Sequence, residues 1–343
     1  MTKFTINGSA GISEIMVGES FKNFREYLPG GQTVIITDEN VNKIYSRFFN
    51  DFPTIIIGSG EKIKTLATVN NIYSQLMKLL ADRSTFIVGI GGGIVCDVAG
   101  FVASTYLRGI RFGFVPTTLL AQVDASVGGK NGVNYKGFKN IIGTFNQPEF
   151  VICDTEVLHS LPGIELSNGF AEIVKHTLIA DDTMFSYLEN SFEKALNLDN
   201  EVISKLVAHS IRIKSGIVNR DEKESGERRL LNFGHTFGHA IEKISGISHG
   251  QAVSLGMVIA ARLSQNLGYL SFEETERIKN LLLHLKLPVK GDFNHEKLIK
   301  AILKDKKRSA ERIAFILLTK IGEAKVAEIP IADLKEMLTP TSD

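Results

Sequence analysis

The sequence predicts an α/β domain built on a parallel sheet, followed by a mainly α-helical domain. Short apolar, β-branched runs alternate with helix-like stretches in the first half of the chain, which is the pattern of a parallel sheet flanked by helices. Later segments are long and amphipathic, with apolar residues at helical spacing. The 343 residues, 43% of them hydrophobic, are enough for two cores. We expect domains at residues 1–162 and 163–343.

The predicted strands are TVIITDEN, TIIIGSG, STFIVGIGGG, RFGFVPTT and EFVICD, in that order. A helix is expected in IKTLATVNNIYSQLMKLLAD, which lies between the second and third of these strands. After the boundary near Pro162, two long helices are predicted in NEVISKLVAHSIRIKSGIVNRDE and GQAVSLGMVIAARLSQNLG. RIAFILLTK and EAKVAEIP then predict a hairpin that turns at Ile321–Gly322.

Bulk composition argues against several classes of protein. Lys and Arg number 39 against 38 Asp and Glu, giving a net charge of +1, so no nucleic-acid partner is expected. The N-terminus lacks the apolar core of a signal peptide, and no run of about 18 apolar residues predicts a membrane span. The two cysteines, Cys96 and Cys153, are far apart in the sequence and suit a reducing compartment. We expect a cytoplasmic protein with no membrane partner.

A glycine-rich turn after the third predicted strand is a candidate phosphate site. Gly91, Gly92 and Gly93 precede a predicted helix that starts near Ile94, so backbone N–H groups and the positive end of a helix dipole would face a ligand. The usual dinucleotide fingerprint needs a small residue where Ile94 stands, and the acidic residue, Asp38, lies upstream instead of downstream. The turn therefore predicts either nucleotide binding or only tight strand–helix packing.

Two further stretches offer polar groups to a ligand. The segment GSGEKIKT follows a strand and carries Glu61 and Lys64. Glycine, asparagine and lysine crowd the region after residue 117, where cations and amides beside permissive backbone suit an anionic small molecule better than a solvated loop. The residues concerned are Asp124, Lys130, Lys139 and Asn140, with Arg108 just before this region.

The segment LNFGHTFGHAIE places His235 and His239 four residues apart, on one face if it is helical. Thr236 stands where a zinc peptidase has its glutamate, so a peptidase is excluded. The spacing alone leaves metal binding, hydrogen-bonded core histidines and a solvated helix face all open, since only companion ligands make it specific.

Taken in order, the motifs resemble the 3-dehydroquinate synthase family of the sugar-phosphate cyclase superfamily. The resemblance extends from about Asp38 to Lys307. The motifs that carry it are GIGGGIVCDVAG, RFGFVPTTLLAQVDASVGGKNGVN, KNIIGTFNQPE, NGFAEIVKH, LLNFGHTFGHAIE and HGQAVSLGM.

This resemblance implies a Rossmann-like N-terminal NAD-binding domain and a helical C-terminal domain that holds a divalent metal, zinc or cobalt. It implies an enzyme of the shikimate pathway, and hence of aromatic amino acid and chorismate biosynthesis, that acts on a small sugar phosphate. The enzyme would be a phosphate-eliminating lyase, working as a homodimer in which Arg108 reaches the neighbouring subunit's substrate phosphate.

The resemblance also assigns residues to roles. The metal ligands would be Glu172, His235 and His249, three protein ligands that leave a position open for catalysis. His239 becomes a substrate contact, and His176 is expected to be a packed or surface histidine. The cofactor set would be Asp38, Glu61, Lys64, Gly92, Gly93, Asp97, Thr117, Thr118, Lys130 and Lys139. The substrate set would be Arg108, Asp124, Lys130, Asn140, Lys175, Lys214, Arg228, Asn232, His239 and either Lys306 or the adjacent Lys307.

The implied reaction converts 3-deoxy-D-arabino-heptulosonate 7-phosphate to 3-dehydroquinate and phosphate. Phosphate leaves carbon readily only when the neighbouring C–H is acidic, and oxidising the adjacent alcohol makes it so. NAD would take hydride from C5, phosphate would leave, the same NADH would return the hydride, and ring opening with intramolecular aldol closure would follow. A metal beside the hydroxyls would act as Lewis acid and template.

Three other functions remain alternatives. A sibling cyclase would act on glucose 6-phosphate or sedoheptulose 7-phosphate, which lack the carboxylate that Arg228, Asn232, His239 and a lysine at 306 or 307 would bind. A metal-dependent polyol dehydrogenase would release NADH. A catalytically inactive binding protein would have lost a metal ligand or a clamp lysine, and the sequence retains all of them.

Overall fold

A computed structural model describes residues 1–9, 11–293, 295–306 and 312–332. The chain forms two compact units, the first made of Met1–Pro162 with Ile203–Lys223 and the second of Gly163–Val202 with Glu224–Asp343. The first unit thus includes a helical segment that lies beyond the boundary expected at residue 162. The assignment of one domain to NAD and the other to metal stays a prediction.

The first unit contains a seven-stranded sheet in the order β1-β2-β9-β6-β5-β3-β4, parallel except for the antiparallel β1–β2 pair. Its strands are β1 Thr2–Gly8, β2 Gly11–Val17, β3 Thr33–Asp38, β4 Thr54–Ile57, β5 Phe86–Gly91, β6 Phe112–Pro116 and β9 Phe150–Cys153. The central strands β5 and β6 are buried along their whole length, as parallel strands covered on both faces must be. This confirms the predicted parallel sheet.

Three helices of this unit are α1 Glu39–Tyr45, α2 Leu66–Lys78 and α3 Gly93–Thr105, and α3 packs against β5. Because parallel strands share one carboxyl edge, the ends of β3, β5 and β6 at Asp38, Gly91 and Pro116 lie along the same edge of the sheet. Ligands of open α/β sheets bind beyond that edge. The fold therefore lines up the glycine turn with Asp38 and the threonines that follow β6.

A separate hairpin, β7 Lys130–Tyr135 and β8 Phe138–Phe145, lies between β6 and β9 in the chain and packs against α3. The sequence did not predict this hairpin. Gly132 and Gly143 face each other in it, and a Cβ on Gly132 would lie 2.8 Å from the Ile142 carbonyl oxygen. The two glycines allow the close approach, but they weaken the strand signal in the sequence.

The second unit is mainly helical, as predicted. Its elements are α4 Gly163–Ala180, α5 Asp182–Leu196, the first residues of α6 Asn200–Arg220, α7 His235–Ser245, α8 His249–Asn266, α9 Phe272–His284, α10 His295–Lys306, β10 Arg312–Lys320 and β11 Glu323–Pro330. The remainder of α6 belongs to the first unit. Strands β10 and β11 form the predicted antiparallel hairpin around Ile321–Gly322.

Glycines bring α7 and α8 close together. A Cβ on Gly256 of α8 would lie 2.0 Å from the Gly234 carbonyl oxygen and 2.7 Å from the Gly238 nitrogen. Gly234 precedes α7 with φ of 76°, a left-handed conformation that favours glycine. Helix α8 also packs against α4. This packing sets the spacing of the three helices that carry Glu172, His235 and His249.

Among the helices of the described residues, none has both the length and the apolar composition required to cross a bilayer.

Candidate active site

Glu172, His235 and His249 come together in the second unit. Glu172 lies on α4, while His235 and His249 are the first residues of α7 and α8. The Glu172 Oε1 atom lies 3.6 Å from His235 Nε2 and 3.5 Å from His249 Nε2. One ligand atom from each residue lies within 4.8 Å of the others. The three residues thus form a cluster in which each can direct one ligand atom at a shared point.

The spacing of these atoms fits a tetrahedral cation. Ligands about 2.1 Å from zinc stand about 3.4 Å apart at the tetrahedral angle, close to the two separations found here. Both separations are too long for strong hydrogen bonds, and the Glu172 carboxylate is fully buried. A buried carboxylate facing two imidazole nitrogens at this range matches the chemistry of a catalytic zinc or cobalt site.

The second nitrogen of each imidazole has a partner that orients the ring. His235 Nδ1 lies 3.2 Å from the Phe233 carbonyl oxygen, to which it can donate, so that Nε2 keeps its lone pair toward Glu172. His249 Nδ1 lies 3.8 Å from Glu242 Oε2. Glu242 was not among the predicted site residues, although it follows His235 by seven residues and so projects from the same face of α7.

Charges around the cluster keep its carboxylate ionised. Burial favours the neutral acid, but Lys175, His235 and His249 outweigh it and hold the pKa of Glu172 well below its usual range. Burial, together with the Lys175 charge, lowers the pKa of His235 to about 3. Burial also opposes protonation of His249, yet the carboxylates of Glu172 and Glu242 raise its pKa to about 9. An anionic Glu172 and a neutral His235 are the forms that bind metal, whereas His249 would have to release its proton when a cation binds.

Two predicted substrate residues lie beside this cluster. Lys175, one turn after Glu172 on α4, is 1% exposed and forms an ion pair with Glu172 Oε2. The His239 ring centre is 5.3 Å from that of His235 and 6.2 Å from that of His249, and His239 is exposed. His239 is therefore placed to contact a ligand at the cluster. His176 is fully buried on α4, in line with a packed histidine.

Arg228 and Asn232 lie on a short 3₁₀ helix, Glu227–Asn232, that packs against α4. Arg228 is 2% exposed, and the Asn232 amide donates to Glu224, whose φ of 61° is unusual for a non-glycine residue. Lys306 is the last residue of α10, and its side chain, like the whole of Lys307, lies outside the described residues.

In the first unit, the glycine turn forms a cradle at the start of α3. A Cβ on Gly92 would lie 3.0 Å from Thr118 Cγ2, and one on Gly93 would lie 3.0 Å from Ala125 Cβ. The first N–H groups of a helix have no partner within it, so those of α3 are available to a pyrophosphate in the space that side chains would fill. The cradle fits a dinucleotide, although tight packing between strand and helix uses the same glycines.

Asp97 and Lys64 form an ion pair next to this turn. Asp97 lies in the second turn of α3, and its Oδ2 contacts Lys64 Nζ, with side-chain exposures of 17% and 6%. Burial raises the pKa of Asp97, and the Lys64 ammonium opposes that rise. The pair places a cation and an anion at the end of β5.

Asp38, Thr117 and Thr118 follow strands at the same sheet edge. Asp38 Oδ1 caps α1, accepting from the backbone N–H groups of Asn40 and Val41 at 2.9 Å each. Burial raises the pKa of Asp38 although these hydrogen bonds oppose the rise. Thr118 Oγ1 accepts from the Ala121 N–H at 3.1 Å, so this threonine caps the turn that follows β6. Thr117 is buried.

The tip of the β7–β8 hairpin groups three further predicted residues. Asn134 donates to Glu61 Oε1 at 2.7 Å, and Lys139 Nζ lies 3.7 Å from the same oxygen. The Asn140 N–H donates to Asn134 Oδ1 at 2.9 Å, and Asn140 has a left-handed φ of 51°. Residues held in sparsely populated conformations cluster at functional sites, so this arrangement supports a ligand role for the tip.

Asp124 and Lys214 form a third ionic pair. Lys214 Nζ lies 2.5 Å from Asp124 Oδ1 and 2.6 Å from the Asp124 carbonyl oxygen. Asp124 lies in a single π-helical turn, Ala121–Ala125, a feature often found at functional sites. Lys130 begins β7 and is exposed. Arg108 is exposed in a turn where Leu107 and Arg108 both have positive φ, 50° and 69°.

Two family models match the chain in succession. The model described as 3-dehydroquinate synthase N-terminal covers residues 54–168, and the one described as 3-dehydroquinate synthase C-terminal covers residues 169–308. The chain is 41% identical over 327 residues to the 3-dehydroquinate synthase of Nitrosospira multiformis. The aligned region covers 92% of this chain and 89% of that relative.

Two solved structures have the same fold. A 2-deoxy-scyllo-inosose synthase complexed with carbaglucose-6-phosphate, NAD⁺ and Co²⁺ has a TM-score of 0.87 and 26% identity, covering 98% of this chain and 99% of that one. The 2-epi-5-epi-valiolone synthase from Streptomyces hygroscopicus subsp. jinggangensis, with NAD⁺ and Zn²⁺ bound, has a TM-score of 0.87 and 24% identity, covering 94% of this chain and 95% of that one.

Proposed function

The chain belongs to the 3-dehydroquinate synthase family, and from that premise we propose that it converts 3-deoxy-D-arabino-heptulosonate 7-phosphate to 3-dehydroquinate and phosphate. It would be a phosphate-eliminating lyase of the shikimate pathway. The structural observation that carries the proposal is the cluster of Glu172, His235 and His249 at the spacing of metal ligands. A chain that had lost catalysis would not need to preserve this costly arrangement around a buried carboxylate.

The cofactors we propose are NAD and one divalent cation, zinc or cobalt. The bound NAD⁺ and Co²⁺ of 2-deoxy-scyllo-inosose synthase support both. When bound, NAD would accept and return a hydride while the cation polarised the substrate hydroxyls. Glu172, His235 and His249 would hold the cation, with Glu242 and the Phe233 carbonyl oxygen orienting the two imidazoles.

The NAD-binding residues would be those at the carboxyl edge of the sheet. Gly92 and Gly93 leave room for the pyrophosphate at the α3 N-terminus, and Asp38 has a second carboxylate oxygen for a ribose hydroxyl. The other proposed contacts are Glu61, Lys64, Asp97, Thr117, Thr118, Lys130 and Lys139. Because no net oxidation occurs, these contacts would have to retain the cofactor through each turnover.

The substrate carries a phosphate and a carboxylate, so it needs several cations and amide donors. Arg108, Lys130, Asn140, Lys175, Lys214, Arg228, Asn232, His239 and Lys306 would supply them. The Asp124–Lys214 pair can in addition hold a proton between a carboxylate and an amine at 2.5 Å. The buried guanidinium of Arg228 suits bidentate binding of a carboxylate.

Arg108 is the basis for proposing a homodimer. Two consecutive non-glycine residues with positive φ hold its turn in a strained form, and the side chain is exposed. A partner's substrate phosphate would give this exposed cation a ligand.

The buried free thiols of Cys96 and Cys153 support the reducing, cytoplasmic location that we propose.

A substrate panel tests the proposed activity. Purified protein with zinc and NAD is incubated separately with the heptulosonate 7-phosphate, glucose 6-phosphate and sedoheptulose 7-phosphate, and phosphate and cyclic product are measured. The proposal predicts turnover of the heptulosonate, with the two sugars that lack the carboxylate at least about 100-fold slower in kcat/KM. Preferred turnover of either sugar would identify a sibling cyclase instead.

A further inference from the structure

Asn168 joins helix α4 to the start of helix α8 through two hydrogen bonds. It is 4% exposed, and its Oδ1 accepts from the Ser248 hydroxyl at 2.7 Å and from the Gly250 backbone N–H at 3.2 Å. Ser248 and Gly250 are the residues on either side of His249. The two bonds therefore hold the backbone that carries a predicted metal ligand, and one of them satisfies an N–H of the first turn of α8.

Gly250 lets the two helices approach at this point. A Cβ at residue 250 would lie 2.4 Å from Asn168 Cα and 2.9 Å from the Asn168 carbonyl oxygen. Both are main-chain atoms, which cannot rotate away as a side chain can. The contact between α4 and α8 is thus made at backbone distance, where a small shift of either helix would change the Asn168 hydrogen bonds.

Asn168 and Glu172 project from the same face of α4 because they are four residues apart, about 6 Å along the helix axis. Glu172 Oε1 is itself 3.5 Å from His249 Nε2. Helix α4 therefore meets the His249 segment at two successive levels. At one level Asn168 bonds the main chain, and at the next Glu172 faces the imidazole.

From this geometry we propose that Asn168 is a positioning residue of the metal site. It fixes the His249 main chain against α4, so that His249 Nε2 and Glu172 Oε1 are set at ligand spacing before a cation arrives. This inference rests on the proposed metal site. Metal ligands must be held to within about 0.2 Å of their ideal distances, and loss of outer contacts commonly weakens metal binding about 10- to 100-fold.

Three variants of the full-length protein test the proposal. Asn168→Ala removes both acceptor bonds, and its zinc Kd, measured by competition with a chromophoric chelator, should rise about 10- to 100-fold. Asn168→Asp keeps an oxygen for both donors and should recover much of that loss. The recovery stays partial because Glu165, which accepts from the Asn168 amide at 3.4 Å, would meet a like charge. Asn190→Ala on α5, which removes an exposed asparagine bonded within its own helix, is the control and should leave the Kd unchanged.

Urea unfolding with and without zinc separates positioning from general stability. A structural role alone would lower the free energy of unfolding equally in both conditions. A positioning role lowers the gain that zinc adds, by about 1.4 kcal/mol for each tenfold rise in Kd. Should Asn168→Ala not fold, Ser248→Ala removes one of the two bonds and allows the same comparison, with a smaller loss expected.

The possible outcomes distinguish this proposal from the one on which it rests. Tight zinc binding by wild type and an equal Kd for Asn168→Ala would overturn the positioning role and leave the metal site standing. Absence of zinc binding in the wild type would remove the metal site and the positioning role together. A raised Kd, restored by aspartate, is the result expected.

Discussion

Glu172 is an anion buried among groups that either pair with it or can share a cation with it. The Lys175 ammonium contacts one carboxylate oxygen, and two imidazole nitrogens face the other at 3.5 and 3.6 Å. An isolated buried carboxylate would be too costly to retain, so each neighbour contributes to keeping it ionised. The proposed metal binding therefore depends on the atoms that surround the Glu172 carboxylate.

Replacing His235 with alanine should abolish metal binding and leave the fold intact. His235 begins α7 and supplies one of three ligands, so its loss should reduce metal content after dialysis to near zero and activity by at least about 100-fold. The control His284→Ala removes an exposed histidine that stacks on Phe192 of a different helix, and it should retain metal. Full metal content and normal turnover in His235→Ala would contradict the ligand assignment.

Replacing Lys64 with methionine should destabilise the protein in a pH-dependent way. The change leaves Asp97 without its ammonium partner in a site where burial already raises the pKa of the carboxyl. Breaking such a pair costs about 3 kcal/mol at neutral pH. Without Lys64 to oppose the effect of burial, the pKa of Asp97 should rise further.

The sign of the pH dependence follows from this shift. A folded-state pKa above the unfolded one means that the folded protein binds more protons between the two values, so the free energy of unfolding falls as pH rises through that window. The deficit of Lys64→Met relative to wild type should therefore grow as pH rises above the usual carboxyl range, as urea unfolding would measure. Lys62→Met is the control, since Lys62 is exposed in the short 3₁₀ helix Glu61–Ile63 that Lys64 directly follows. A deficit that shrinks with rising pH would refute the buried pair.

At the level of elements, close helix contacts set the ligand geometry. Helices α7 and α8 each begin with a predicted metal ligand, and they approach through Gly234, Gly238 and Gly256. The space between them is too small for a methyl group at residue 256. The spacing of His235 and His249 therefore depends on glycines that have no side chain to bind a metal or substrate.

Gly256→Ala should separate these helices. Its Cβ would overlap main-chain atoms of residues 234 and 238, and such overpacking costs about 1–3 kcal/mol or more. We expect a lower free energy of unfolding together with weaker zinc binding. Gly163→Ala is the matched control, since a Cβ there meets nothing within 4 Å at the start of α4. Equal stability and zinc affinity in both variants would contradict this account of the packing.

The elements differ in how well the sequence predicts them. Uniform apolar runs identified β3, β5 and β6, and helical periodicity identified α2, α6 and α8, because burial imposes those patterns directly. The β7–β8 hairpin was not predicted, since its glycines, asparagines and lysines are poor strand formers that pair here through close backbone approach. The ligand role proposed for its tip and its strand structure involve the same residues.

The site was only partly predictable for a related reason. The spacing of His235 and His239 left three interpretations open, and the resemblance to a family was needed to select His249 as a ligand instead of His239. The structure supports that choice, because His249 faces Glu172 whereas His239 is exposed. Asn168 was missed because its contacts are with residues about 80 positions away, which no local pattern reveals. Glu242 was missed although its spacing from His235 places both on one face of α7.

At the scale of the whole molecule, the proposed chemistry draws on both compact units. The first contains the glycine cradle with Asp38 and Asp97, and the second contains the candidate metal cluster. The proposed homodimer adds a third contribution, Arg108 of each subunit acting on the substrate of the other.

Mixing two inactive variants tests the action of Arg108 across the dimer. Arg108→Ala and Lys130→Ala should each lose most activity as homodimers. In a mixed dimer, one site would combine an intact Lys130 with an intact Arg108 from the partner. Half of the randomly reassorted dimers are mixed and half of their sites are complete, so about a quarter of wild-type activity should return. No recovery after verified subunit exchange would exclude this arrangement.

The proposed reaction uses NAD as a retained catalyst in an elimination with no net redox change. Its most direct test mixes the zinc-loaded protein with a large excess of the heptulosonate 7-phosphate over NAD and follows released phosphate together with NADH absorbance. Phosphate should be released far in excess of the NAD supplied, with 3-dehydroquinate formed in equal amount and no lasting rise in NADH. Phosphate release that stops at one equivalent of NAD, or NADH that accumulates with turnover, would contradict it.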